Sequence, residues 1–384
     1  MRPARLKSVV GFGIDRVAAQ AGADPEVLRL ENLDTDLAPP PEAVEATRQA
    51  VGTDEANSYL PFIGQRGLRE AVAEHLRRQS GVTYDADRQV VITAGGTEGL
   101  LAALMAILEP GDEVLLTDPT YAGMIHRVTL AGGVPVFIPL RVENQHWRLN
   151  LAALRAAVSS RTRALFLMNP SMPSGAVLNE EEWEAVRELC VSRGLWLLYN
   201  AAMERLVYDG QPVRHPVSLP GLAERTLVVG SVSKEYRMIG WRIGWVAGPP
   251  EVMADIVWTH TYVVVTPPGI SQRGAEAALR SEGGVAAAVA EWQRRRDTVV
   301  EQLAGLPLVI PEGGWSLLVE VESLGLKPAE VSALLLTRKV AATPMTGWGG
   351  TVAGRHVRFV FSNETVERLA TLRARLRGTV LDRP

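Results

Sequence analysis

A lysine placed just past a buried strand carries the strongest chemical signal in the chain. Residues 230–245 read GSVSKEYRMIGWRIGW, and the apolar run at 226–230 before them reads as a strand of an interior sheet. Ligands of open α/β sheets bind at the carboxyl ends of the strands, so Lys234 stands where a small molecule would be met. An amine there is a candidate former of a Schiff base with a carbonyl compound. Eight residues on, Arg242 lies between small and aromatic residues, and a guanidinium near such a lysine suits bidentate binding of a phosphate.

Two further places fit charged ligands. Residues 93–99, TAGGTEG, put Gly95 and Gly96 between a strand and a helix. Such a turn leaves backbone N–H groups at a helix N-terminus, a ready phosphate site. Arg358 lies inside the otherwise apolar strand pattern HVRFVF at 356–361. An unpaired buried charge is costly, so this arginine needs an anion, either a local acid or a bound one.

The elements that must position these residues alternate. Short apolar strands are expected at 89–93, 113–117, 134–139, 164–168, 195–199 and 226–230, and helices at 95–108, 120–131 and 180–193. Continuous apolar strands alternating with helices mean a mostly parallel sheet covered on both faces. Beyond about residue 268 the pattern changes to a long helix at 271–303, strands at 315–321 and 356–361, and helices at 328–337 and 364–377. The chain is therefore read as α/β, with an N-terminal arm at 1–45, a large domain at 46–270 and a smaller α+β domain at 271–384, completed by the arm.

Composition narrows the classes. With 384 residues, two domains are the natural expectation. A net charge of −3 gives no basic field to draw in nucleic acid, and the arginines at 294–296 and 373–377 are read as solvated helix faces. The single cysteine, Cys190, permits no internal disulfide and falls in an apolar helical pattern. The N-terminus lacks the apolar run of a signal peptide, and no stretch has the length of a membrane span. A cytoplasmic protein without membrane, nucleic-acid or metal partners is expected.

The string SVSKEYRMIGWRIG, with the TAGGTEG turn and the Arg358 strand, resembles the class I/II aminotransferases that use pyridoxal 5′-phosphate (PLP), and further matches run in order through nearly the whole chain. The resemblance implies PLP fold type I, with Lys234 as the catalytic lysine that carries the cofactor. It implies that Ser231, Arg242, Gly95, Gly96 and Thr97 hold the phosphate, and that Tyr121, in DPTY at 118–121, stacks on the pyridine. Tyr59, in NSYLPFIG at 57–64, would reach the phosphate of a neighbouring subunit, making the active unit a homodimer with shared sites. Arg358 would clamp the substrate α-carboxylate.

Two stretches depart from the family pattern. The turn at 169–175 reads NPSMPSG, with Met172 in place of the asparagine that serves the cofactor's phenolic oxygen. Asn169, three residues upstream, is the candidate substitute. At 197–205 the run LLYNAAMER puts Asn200 where the family has the aspartate of the pyridine nitrogen, and Met203 where it has a tyrosine. Asn200 could still hydrogen-bond the ring nitrogen, but with a weaker electron sink. The expected function is amino transfer between an amino acid and a 2-keto acid through a Lys234 Schiff base. The departures leave open a lyase, decarboxylase or oxidase on the same fold, or a silent PLP-binding homologue. Asp34 and Asp36, in the arm, could face a cationic substrate or solvent, and Trp348 could narrow the pocket or only pack.

Overall fold

The computed structural model describes residues 13–382 and, before them, Pro3, Leu6, Lys7, Val9 and Gly11. Parts of the expected N-terminal arm, and the last two residues of the expected small domain, lie outside the described residues. Twelve strands, Leu28–Leu30 (β1), Val90–Thr93 (β2), Glu113–Asp118 (β3), Val134–Glu143 (β4), His146–Leu149 (β5), Thr162–Met168 (β6), Trp196–Asn200 (β7), Thr226–Ser231 (β8), Gly244–Ala247 (β9), Ser316–Glu320 (β10), Val340–Pro344 (β11) and His356–Val360 (β12), form two sheets among the described residues.

The larger sheet runs β2-β9-β8-β7-β6-β3-β4-β5. Strands β8, β7, β6, β3 and β4 are mutually parallel, whereas β9 is antiparallel to both neighbours and β5 to β4. Strands β2, β8 and β9 are buried along their whole length, which is why their sequences are apolar runs rather than alternations. Helix Gly96–Ile107 lies against β8 and β9, and helix Pro250–Val264 packs on that helix. The smaller sheet runs β1-β11-β12-β10. Its edge strand β1 comes from the N-terminal arm and pairs parallel with β11, Leu28 opposite Val340.

Three expectations need correction. The long helix at 271–303 is broken: Gly269–Ser281 and Val285–Gln302 flank a 3-10 turn, Glu282–Gly284, in which all three residues have positive φ. Two adjacent glycines accept that left-handed conformation without a Cβ clash, whereas the apolar periodicity continues through it. The first piece packs on helices Pro41–Ala50 and Arg66–Ser80 beside the larger sheet. The helix at 364–377 likewise splits into Val366–Leu369 and Leu372–Leu376. In the Arg-rich stretch, Arg295 and Arg296 are buried rather than solvated, each held by two acids: Asp36 and Glu291 for Arg295, Asp209 and Asp297 for Arg296. Cys190 is free and buried, and among the described residues no helix is long and apolar enough to cross a membrane.

One contact fixes how β9 meets the turn after β2. A Cβ built on Gly244 would lie 2.4 Å from the Gly96 nitrogen and 2.6 Å from the Gly95 carbonyl carbon. Both are backbone atoms that cannot rotate away. Gly244→Ala is therefore expected to cost about 1–3 kcal/mol through overpacking, seen as an earlier urea-unfolding midpoint. An unchanged midpoint would show that this approach is not close.

Candidate active site

A cavity of about 320 Å³ opens where the parallel strands end. Its lining includes Thr97 after β2, Tyr121 after β3, Met168 and Asn200 at the ends of β6 and β7, and Ser231 and Lys234 at the end of β8. The residues that the sequence scatters over more than a hundred positions thus converge because each follows a strand of one sheet.

Lys234 is half-buried, and its Nζ donates to the Leu33 carbonyl at 2.7 Å and lies 4.9 Å from the Trp315 ring centroid. Burial pushes its pKa down to about 8; the Asp34 carboxylate opposes this, while the charges of Arg242 and Arg358 add to it. The ammonium still predominates at neutral pH, but the free amine that a nucleophile or general base requires becomes accessible just above it.

Beside it lies an anion cradle. Gly95 has φ +77°, and a Cβ there would meet Arg242 Nη2 at 2.4 Å, so the turn is closed to larger residues. Arg242 Nη2 donates to Thr97 Oγ1 at 3.4 Å, and Nη1 donates to the Ile239 carbonyl at 2.9 Å. No acid pairs with this guanidinium among the described residues. Gly96 and Thr97 form the first turn of helix Gly96–Ile107, where backbone N–H groups lack helical partners. Ser231 and Ser233 complete a lining of donors. This donor set, short of acceptors, fits a phosphate. Glu98 anchors the turn: its Oε2 accepts from Ala94 N–H at 3.0 Å, and both its oxygens lie 3.1 Å from His260 Nδ1. The Nε2 of that fully buried imidazole lies 3.1 Å from the Phe62 carbonyl.

Tyr121 lines the cavity, with Arg127 5.5 Å from its ring centroid and donating to its hydroxyl at 3.4 Å. Asn200 and Met172 also line it. Asn169 does not: it is buried in the turn, where its Oδ1 accepts from Leu178 N–H at 2.8 Å. The residue expected to stand in for the missing phenolic-oxygen partner therefore lies outside the cavity lining, with its oxygen turned to the Leu178 amide. Met203 is buried away from the cavity. Tyr59 is also absent from the lining and is 90% exposed.

Arg358 is fully buried at the opposite wall. Its Nη2 donates to the Glu31 carbonyl at 2.6 Å, its Nη1 has only the Met172 thioether at 3.8 Å, and its Nε–H has no acceptor. Trp348 lies under it, 4.5 Å from ring centroid to Cζ. Burial pushes its pKa down to about 9, opposed by Glu31, so it stays cationic at neutral pH. No carboxylate pairs with it among the described residues, which leaves a desolvated cation facing the cavity. The loop carrying Trp348 is clamped by Asp118, whose carboxylate accepts from Val352 and Ala353 N–H at 2.9 Å.

Sequence reasoning missed several members. Ile14, Asp15, Asn32 and Leu33 reach the cavity from the arm, and Leu33 acts through its carbonyl, which no side chain announces. Ser233 lies in the quoted string without a role. The Glu98–His260 pair had a signal only in the polar histidine of an apolar helix. Of the two arm acids, Asp36 is engaged by Arg295 at 2.5 Å, and Asp34 is outside the lining.

Because the Asp34 charge favours the ammonium form of Lys234, Asp34→Asn is expected to lower the Lys234 pKa below about 8. The pH midpoint of Lys234 acylation in cofactor-free protein, followed by mass spectrometry, would read it. A midpoint that rises or stays put would reject the coupling.

Residues 26–376 match the family described as Aminotransferase class I and II. The chain is 35% identical over 348 residues to the arginine–pyruvate transaminase AruH of Pseudomonas aeruginosa, covering 89% of this chain and 87% of that protein. It is 34% identical over 297 residues to an aspartate aminotransferase of Pyrococcus abyssi, covering 76% of each. The solved N-succinyldiaminopimelate aminotransferase of Mycobacterium tuberculosis superposes with a TM-score of 0.92 at 32% identity, over 98% of this chain and 99% of that one. The architecture is that of the PLP fold type I aminotransferases, the cofactor is PLP, and the chain belongs to the class I and II aminotransferase family.

Proposed function

We propose that this PLP-dependent aminotransferase works through Lys234, with the phosphate held by Gly95, Gly96, Thr97, Ser231 and Arg242 and the substrate α-carboxylate held by Arg358. One observation carries the reading. A half-buried amine with a lowered pKa lies in the same cavity as two guanidinium groups that no acid among the described residues pairs with. One guanidinium stands among phosphate-type donors, and the other is alone in an apolar wall.

Bound PLP supplies an aldehyde that captures amines and an aromatic system that accepts the electrons of a cleaved Cα–H bond. The chain's own groups do the rest. Arg358 fixes the amino acid by a forked, charge-assisted contact, which orients Cα toward Lys234. Lys234, whose lowered pKa makes the free amine accessible just above neutral pH, takes the proton from Cα as general base and returns one as general acid. Tyr121 supports the ring face. The 2-keto acid leaves by the same contacts, and a second keto acid takes the amino group in reverse.

The reading extends to assembly. Tyr59 is 90% exposed and lies outside the lining of its own cavity. Phe62, Trp258 and Tyr262 are exposed too, and Trp258 and Tyr262 stack at 6.2 Å into an apolar patch. Loop 57–64 and helix Pro250–Val264 are joined through His260 and Phe62. Such a patch fits a second copy of the chain, with Tyr59 serving the partner's phosphate. A free, buried Cys190 agrees with a cytoplasmic setting. The packing of helix Gly269–Ser281 beside the larger sheet supports a boundary between the large and small regions at Glu282–Gly284.

Borohydride reduction of the PLP-loaded protein should leave a stable adduct on Lys234 by peptide mapping, and Lys234→Ala should abolish amino transfer. An adduct on another lysine would sink the assignment. Arg358→Lys should lose about 2–3 kcal/mol of binding to α-amino acids, roughly 30- to 150-fold in kcat/KM. Amines lacking the carboxylate should be unaffected, and equal losses on both would remove Arg358 from the substrate.

A further inference from the structure

The wall at the end of β7 presents a hydrogen-bond donor where a carboxylate would be needed to hold a proton. Asn200 is buried, and its Oδ1 accepts from Ala202 N–H at 3.1 Å. Only the oxygen of a carboxamide can accept, so this bond fixes which way the amide faces. Nδ2 is then the free end, and its partner is the Met168 thioether at 3.7 Å, a weak acceptor. Met168 and Met172 line the cavity beside it and carry no charge. The nearest acid in sequence, Glu204, is outside the lining. It is buried and accepts from the Tyr199 hydroxyl at 3.0 Å, and burial holds its pKa well above the usual carboxylate range.

Resting on the reading of Lys234 and the phosphate cradle above, we propose that Asn200 Nδ2 donates to the pyridine nitrogen of PLP and keeps that nitrogen unprotonated. The chemistry of the two groups decides it. With the phosphate in the cradle and the aldehyde carbon at Lys234, the polar atoms left are the ring nitrogen and the phenolic oxygen. A neutral pyridine nitrogen accepts one hydrogen bond, which Nδ2 can give. A protonated one must donate, and the acceptor oxygen of Asn200 is turned to the Ala202 amide. A pyridinium would therefore set two donors head to head, beside two thioethers; the acid in the lining, Asp15, belongs to the arm helix Gly13–Ala21 and is exposed. Burial without an opposite charge disfavours the protonated form of a base. Asn200 thus reverses the donor and acceptor roles that an aspartate would have. The ring withdraws fewer electrons from Cα, and more of the barrier to proton removal falls on Lys234.

The test uses whole protein loaded with PLP carrying ¹⁵N in the ring. The Lys234 adduct after borohydride is checked first. Its absence overturns the assignment of Lys234, and this inference with it; its presence isolates the question of the ring. The wild-type resonance is then expected at the hydrogen-bonded, unprotonated position at neutral pH. Asn200→Ala should move it downfield, toward free pyridine, as the donor is lost. Asn200→Asp should move it upfield to the pyridinium position, by lifting the ring pKa about 1–3 units. A pyridinium resonance in the wild type overturns the proposal whether or not either variant folds. An unmoved resonance in Asn200→Ala, with a shifted pH dependence of the visible band, also overturns it, by placing Nδ2 on the phenolic oxygen.

Discussion

Three cationic side chains open on one cavity, and neither Arg242 nor Arg358 has an acid to pair with among the described residues. For the fully buried Arg358, holding desolvated positive charge in this way is unfavourable unless an anion arrives to share it. The fold supplies the restraint. Lys234 is tied to the Leu33 carbonyl and lies over Trp315, Arg242 is tied to the Ile239 carbonyl, and Arg358 is tied to the Glu31 carbonyl over Trp348. Backbone carbonyls and aromatic faces give partial negative charge without neutralising the cation. The cavity thereby carries positive charge in place before any anion enters it.

Much of this was legible in the sequence because it rests on spacing along one element. The strand-turn-helix at Gly95–Gly96, the lysine after β8 and the arginine within β12 each depend on neighbours a few residues away, and each was placed from sequence. What escaped depends on contacts across the fold. Asn169 looked able to substitute for the missing asparagine, but it lies outside the cavity lining and faces Leu178, nine residues on, in a turn whose path periodicity does not reveal. The break at Glu282–Gly284 was hidden because apolar spacing survives on both sides of it. Arg295 and Arg296 looked like surface charge, since the acids that hold them, Asp36 and Asp209 among them, lie far off in the chain.

The N-terminal arm joins the two sheets in one function. β1 closes the edge of the smaller sheet against β11, and the residues that follow it deliver the Glu31 and Leu33 carbonyls to Arg358 and Lys234. The sheet that carries Arg358 and the sheet that carries Lys234 are thus spanned by three consecutive residues of one strand exit. Burial of Leu28 and Leu30 sets the position of those carbonyls.

His260 has a consequence of a mechanical kind. Its ring is wholly buried, with Nδ1 against the Glu98 carboxylate and Nε2 against the Phe62 carbonyl. The turn that forms the phosphate cradle and the loop that carries the outward-facing Tyr59 therefore pivot on one imidazole. Neither can shift alone without breaking a hydrogen bond in the interior, where an unpaired polar group is costly. A load applied at the protein surface through Tyr59 is delivered to the floor of the site, with the imidazole as its fulcrum.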